Sequence, residues 1–127
     1  MAVVLSMLQN QKKRLLVVDS DSQVLSKISR MLFGLGAWDV WQANTAARAA
    51  ELWTEHHDEI NVLITAPKLP DGLGTDLVQQ FRAKRPGLYV LFMSGGPACE
   101  NREWTEEFLP KPFTNQQLLD ALSRLEQ

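Results

Sequence analysis

The chain has 127 residues, of which 45% are hydrophobic and 22% charged, with a net charge of −2. That length makes one domain with a core of its own, and that composition excludes a disordered chain. The basic residues form no long run, which argues against nucleic acid as the main partner, because phosphate binding needs clustered Lys and Arg.

The chain opens on the apolar stretch Ala2-Val3-Val4-Leu5-Ser6-Met7-Leu8, with Lys12, Lys13 and Arg14 after it. The stretch is too short to span a membrane and has no basic residues ahead of it, so it reads neither as an anchor nor as a signal peptide. Residues 1–13 are taken as an N-terminal extension, either loosely docked or serving as a docking or dimerising helix. Residues 14–127 form the domain. Leu15 to Val18 is a continuous apolar run short enough to be a buried strand. Ser20, Asp21 or Ser22 can cap the helix that follows, in which Val24, Leu25, Ile28, Met31, Leu32 and Leu35 recur at helical spacing. Gly34 and Gly36 stop it.

Trp38, Val40 and Gln42 suggest a second strand with Asp39 and Trp41 on its other face, and Thr45 to Trp53 is an alanine-rich helix. His56 and His57 are adjacent and point apart on a helix, so they are no metal pair. Ile60 to Thr65 is a third strand, Gly72 and Gly74 open a turn, and Leu77, Val78 and Phe81 mark a third helix ended by Arg85-Pro86-Gly87. Leu88 to Met93 is a fourth strand. Phe108 to Pro110 is a short fifth strand. Leu118, Leu119, Leu122 and Leu125 line a last helix capped by Thr114 or Asn115. Cys99 stands alone, so no internal disulfide is possible, and a reducing cytoplasmic setting fits.

Strands alternating with helices imply an α/β fold with a parallel sheet covered on both faces. Five such units match the flavodoxin-like doubly wound order 2-1-3-4-5, whose switch point lies at the carboxyl ends of strands one and three. Asp19 and Ala66 end those strands, so a site is expected between them.

Four runs stand at strand ends: Leu15-Leu16-Val17-Val18-Asp19-Ser20-Asp21, Val62-Leu63-Ile64-Thr65-Ala66-Pro67-Lys68-Leu69-Pro70-Asp71-Gly72, Val90-Leu91-Phe92-Met93-Ser94-Gly95 and Phe108-Leu109-Pro110-Lys111-Pro112-Phe113. Together they resemble the receiver domain of bacterial two-component response regulators, over roughly Arg14 to Leu125. The resemblance implies a phosphoacceptor aspartate at the end of strand three, two acids at the end of strand one that hold Mg²⁺, and a Ser or Thr and a Lys that bind the phosphoryl oxygens. Asp19 matches the first acid, while Ser20 stands where the second is expected. Ala66 replaces the acceptor. Ser94 and Lys111 match their counterparts, and Phe108 matches the aromatic that reorients on activation.

Charge counting shows what the departures do. A working pocket of this family sets three carboxylates against one lysine and leaves two negative charges for a dication. Here Asp19 stands against Lys111, and the sum is near zero. Hard cations need oxygen ligands, usually carboxylates, so Mg²⁺ binding is expected to be weak or absent, and phosphoryl transfer lacks both its nucleophile and its metal. Asp21 is expected to cap the helix or face water. A direct or water-bridged Asp19–Lys111 contact is expected, with Ser20 or Ser94 adding hydrogen bonds. Asp19→Ala should then cost more than Lys111→Met, provided that Asp19 can still reach water.

A second departure lies between strands four and five, where Gly95 to Trp104 lacks a helical apolar period and begins with breakers. The fourth helix of the family is expected to be shortened to a turn or loop, which puts a dimer through that face in doubt. The Phe-Met-Ser-Gly run also resembles receivers appended to hybrid sensor kinases.

The resulting expectation is a phosphorylation-independent, non-enzymatic signalling module that binds a protein such as a histidine kinase or another regulator, or forms a homodimer. The competing expectation is a phosphoacceptor receiver, either captured as a non-phosphorylatable variant at Ala66 or using Asp19 or Asp21. A flavodoxin-like cofactor site is disfavoured, because Asp19-Ser20-Asp21-Ser22 follows strand one where a Gly-rich phosphate loop would be needed.

Overall fold

The run Leu15–Val18 is wholly buried in an inner strand of a five-stranded sheet. A computed structural model of the chain describes residues 13–35, 38–94 and 107–125. Its elements in chain order are β1 (Lys13–Val18), α1 (Ser22–Leu35), β2 (Trp38–Ala43), α2 (Ala46–His56), β3 (Val62–Thr65), β4 (Lys68–Leu69), β5 (Gly72–Leu73), α3 (Gly74–Lys84), β6 (Tyr89–Ser94), β7 (Glu107–Pro110) and α4 (Asn115–Leu125). The main sheet runs β2-β1-β3-β6-β7, all parallel, and so has the expected doubly wound order.

Alternation along the strands builds two cores. Leu16 and Val18 point to one face, where they meet Leu52 and Trp53 of α2 and Val78 and Phe81 of α3. Leu15 and Val17 point to the other, against Leu25, Ile28 and Leu32 of α1 and Leu118 and Leu122 of α4. A strand with helices on both faces has to be apolar on both sides, which is why β1 and β3 read as unbroken hydrophobic runs. Trp53 lies flat on Phe81, with ring centroids 4.3 Å apart.

Local chemistry sets the helix starts. The Asp21 carboxylate accepts the Gln23 N–H at 2.9 Å and caps α1. Thr45 accepts the Arg48 N–H at 3.1 Å at the head of α2. Thr114 and Gln117 form a reciprocal capping box on α4, with Gln117 N–H to Thr114 Oγ1 at 3.1 Å and Thr114 N–H to Gln117 Oε1 at 2.8 Å.

The structure departs from the expectations at several element ends. α1 ends at Leu35, the last residue of its expected apolar series, with Gly34 inside its last turn, but α2 runs on past Trp53 to His56, and β3 begins at Val62 although Ile60 is buried. The stretch read as a simple turn is an antiparallel hairpin of β4 and β5. In α4, Ala121 is fully buried while Leu119 is only half-buried. The expected shortening of the connection between β6 and β7 concerns residues 95–106, outside the described residues; so do Gly36 and the extension up to Lys12.

Candidate functional site

The parallel register places the ends of β1 and β3 side by side. Val18 pairs with Thr65, and the Ala66 N–H donates to the Val18 carbonyl at 2.9 Å. The Asp19 N–H donates across the other side of β1 to the Ala43 carbonyl at 3.1 Å. Asp19 and Ala66 are therefore held by sheet hydrogen bonds at the switch point, and both are buried, at 2% and 7% exposure.

β7 delivers the third member. Lys111 follows its last residue, Pro110, and Lys111 Nζ donates to Asp19 Oδ2 at 2.6 Å. The side chain of Asp19 is 3% exposed and that of Lys111 25%, so the anion is sealed while the lysine side chain is partly open to water. Asp19 Oδ1 accepts the Asp21 N–H at 2.9 Å. The expected Asp19–Lys111 contact is thus direct, and the additional hydrogen bond comes from a backbone amide; Ser20 is exposed. Ser94 ends β6 in register with Pro110.

Phe108 pairs with Phe92 across β6 and β7, with ring centroids 5.7 Å apart. It packs, partly buried, against the core that α2 and α3 cover. The Lys111–Pro112 peptide is cis.

Three further residues hold the segments around these strand ends. Lys27 of α1 donates to the Phe113 carbonyl at 2.5 Å and lies 4.6 Å from the centre of the Phe113 ring, so it holds the loop that follows Lys111. Asp71, in the tip of the β4–β5 hairpin, accepts the Ala46 N–H at 2.7 Å and the Ala47 N–H at 3.0 Å. These bonds to the open N-terminus of α2 lower the Asp71 pKa from its ordinary value of 3.8. Gly74 begins α3 against the Ala66 carbonyl: a Cβ there would stand 2.2 Å from that oxygen. Nothing in the sequence marks Lys27, and Asp71 shows there only as part of a Pro-Asp-Gly turn. Their partners lie 86 and 25 residues away, beyond any local pattern.

The donors present do not match what Mg²⁺ takes. A hard cation collects six oxygens, several of them usually carboxylate. Here one Asp19 oxygen is bound to an ammonium and the other to an N–H. Position 66 offers a methyl group, Ser20 faces outward, and Asp21 Oδ1 is engaged in its cap. Among the described residues no cluster of three or more His, Cys, Asp or Glu could hold a metal.

The parallel doubly wound sheet and the strand-end residues define a class that comparison with known proteins names. Residues 15–123 match the response regulator receiver domain, and the chain belongs to that family, the receivers of two-component signalling. It is similar to the chemotaxis protein CheY homolog of Campylobacter jejuni, with 32% identity over 116 residues that cover 86% of this chain and 88% of that protein. Among solved structures it is similar to a response regulator receiver domain protein from Clostridium thermocellum, with a TM-score of 0.78, 27% identity, and coverage of 89% of this chain and 93% of that one. It is also similar to the receiver domain of the hybrid histidine kinase CckA, with a TM-score of 0.77, 27% identity, and coverage of 90% and 99%. Among the described residues no helix is long and apolar enough to cross a membrane.

Proposed function

We propose that this chain is a phosphorylation-independent receiver module, not an enzyme, that acts in the cytoplasm by binding another signalling protein. The observation that carries the reading is the methyl group of Ala66 at the end of β3, beside a closed Asp19–Lys111 pair. A methyl group offers no nucleophile. The pair brings the pocket to neutrality, so it has no surplus negative charge to attract a dication, and Mg²⁺ is bound weakly or not at all. Nothing is then left for phosphorylation to switch, and the receiver surface is held in one state. The partner is a histidine kinase or another regulator, with a second copy of the chain as the alternative; neither nucleic acid nor a membrane is the target.

The rival reading keeps a phosphoacceptor, at Asp19 or Asp21, or treats Ala66 as a substitution in an active protein. Asp19 is a poor nucleophile in this geometry because both its oxygens are engaged and its side chain is sealed. Asp21 is exposed and tied to the head of α1. Incubation with acetyl phosphate and Mg²⁺, followed by intact mass, separates the two. The proposal expects an unchanged mass, and a stoichiometric phosphoryl adduct overturns it.

A further inference from the structure

Among the described residues, β2 is an edge strand: it pairs with β1 and has no strand on its outer side. The Ala43 carbonyl faces β1, since it accepts the Asp19 N–H. Backbone groups alternate along an extended strand, so those of Val40 and Gln42 face outward. A groove of about 670 Å³ runs along this edge and is lined by the consecutive residues Val40, Trp41 and Gln42 together with Phe33 of α1. Lining by consecutive strand residues means that the groove straddles the edge and reaches both faces of the sheet. Each face carries an apolar side chain there, beside the charged residues Arg14, Arg30, Asp39 and Glu59 that also line the groove. Val40 lies on the α1 side with Phe33, which is 80% exposed, and Trp41 lies on the α2 side, stacked on His56 at 4.5 Å. An open edge with an apolar side chain exposed on each face is a template for an added strand.

We propose that the occupant is the chain's own segment Ala2–Leu8, added as a strand antiparallel to β2. Its composition fits. It carries no charge and is rich in Val and Leu. Alternation puts Val3, Leu5 and Met7 on one face and Ala2, Val4, Ser6 and Leu8 on the other, so each face has apolar side chains to set against Val40 and Phe33 or against Trp41. Its tether fits as well. Lys13 begins β1 in register with Trp38, the first residue of β2. Reaching the far side of β2 means crossing two strand spacings, roughly 9.5 Å. The steps from Leu8 to Lys13 span up to roughly 17 Å. A chain that turns back under Trp38 then runs opposite to β2, whose six residues the segment can cover. A tethered strand is present at an effective concentration of about millimolar, so it outcompetes the edge of a second copy at ordinary protein concentrations. Docking there would seal the exposed edge against sheet-to-sheet association.

Amide hydrogen exchange on the full-length protein tests this, read at Val40 and Gln42 at low and high protein concentration, alongside Leu5→Asp. Docking predicts slow exchange at both amides whatever the concentration. In Leu5→Asp the same amides speed up about tenfold or more, while those of β1 and β3 keep their rates. Equal rates in the wild type and Leu5→Asp overturn the proposal. So does protection that grows with concentration as the mass in solution doubles, because the occupant is then a second copy.

Discussion

Lys111 Nζ lies 2.6 Å from Asp19 Oδ2, joining two residues 92 positions apart in the sequence. The unequal burial of the pair decides which partner is harder to lose. In Lys111→Met the carboxylate stays sealed with a single backbone N–H to hold it, and an unpaired buried charge is the expensive case. In Asp19→Asn the ammonium turns to water and the amide oxygen still accepts the Asp21 N–H. The order expected from sequence holds only where Asp19 reaches water, and at 3% exposure it does not. Lys111→Met is predicted to destabilise by ~1–3 kcal/mol, with Asp19→Asn costing clearly less. Urea unfolding of both single variants and the double variant measures this. Two equal losses, or none, would show that the pair does not hold the pocket.

Restoring one carboxylate should not restore the chemistry. Ala66→Asp supplies a nucleophile but leaves position 20 without its acid, and Asp19 stays committed to Lys111. The double variant Ser20→Asp with Ala66→Asp adds two negative charges to a neutral pocket. Calorimetric titration with Mg²⁺ should give no resolvable heat for Ala66→Asp and a saturable isotherm for the double variant. A full-strength isotherm from Ala66→Asp alone would mean that position 20 is not a metal position in this chain.

The Asp71 bonds to Ala46 and Ala47 give a pH dependence of known sign. A carboxyl whose folded pKa is lowered stabilises the fold above its unfolded pKa, and the contribution disappears as pH falls through the folded value. The lowering is relative to 3.8. Wild type should therefore melt higher than Asp71→Ala at neutral pH, and the gap should close in acid below about 3.8. Melting curves of the two proteins across pH test it, and a gap that is constant into acid contradicts it.

Gly74 is predicted to be irreplaceable on steric grounds alone. Its absent Cβ would overlap the Ala66 carbonyl, which is backbone fixed by the sheet. Gly74→Ala must push the start of α3 away and should cost roughly 1–3 kcal/mol. Gly87→Ala is the control, because a Cβ there meets nothing within 4 Å. Equal stability of the two variants in urea would refute the steric argument.

The fold was legible because buried parallel strands leave an unmistakable record: Leu15–Val18 and Val62–Ile64 are apolar on both faces and short. The helix stops were less so. Gly34 is a breaker by propensity, yet it sits exposed inside the last turn of α1, where one glycine costs only about 1 kcal/mol and does not by itself end a helix. The β4–β5 hairpin was hidden because each strand has two residues, too few to show alternation. At the site, Asp19, Ala66 and Lys111 could be placed from strand ends alone, since topology carries strand ends to one point. Lys27 and Asp71 could not, because each acts on backbone atoms of a remote segment, and backbone acceptors and donors leave no mark in a sequence.

The central claim is a pocket that neither takes metal nor switches. The most direct measurement is a two-dimensional amide spectrum of the full-length protein, recorded alone, with Mg²⁺, and with Mg²⁺ and acetyl phosphate. The account predicts three superimposable spectra at Asp19, Asp21, Ala66, Phe108 and Lys111. Saturable shifts clustered at those residues on adding Mg²⁺, or a new set of signals on adding the phosphodonor, would contradict it.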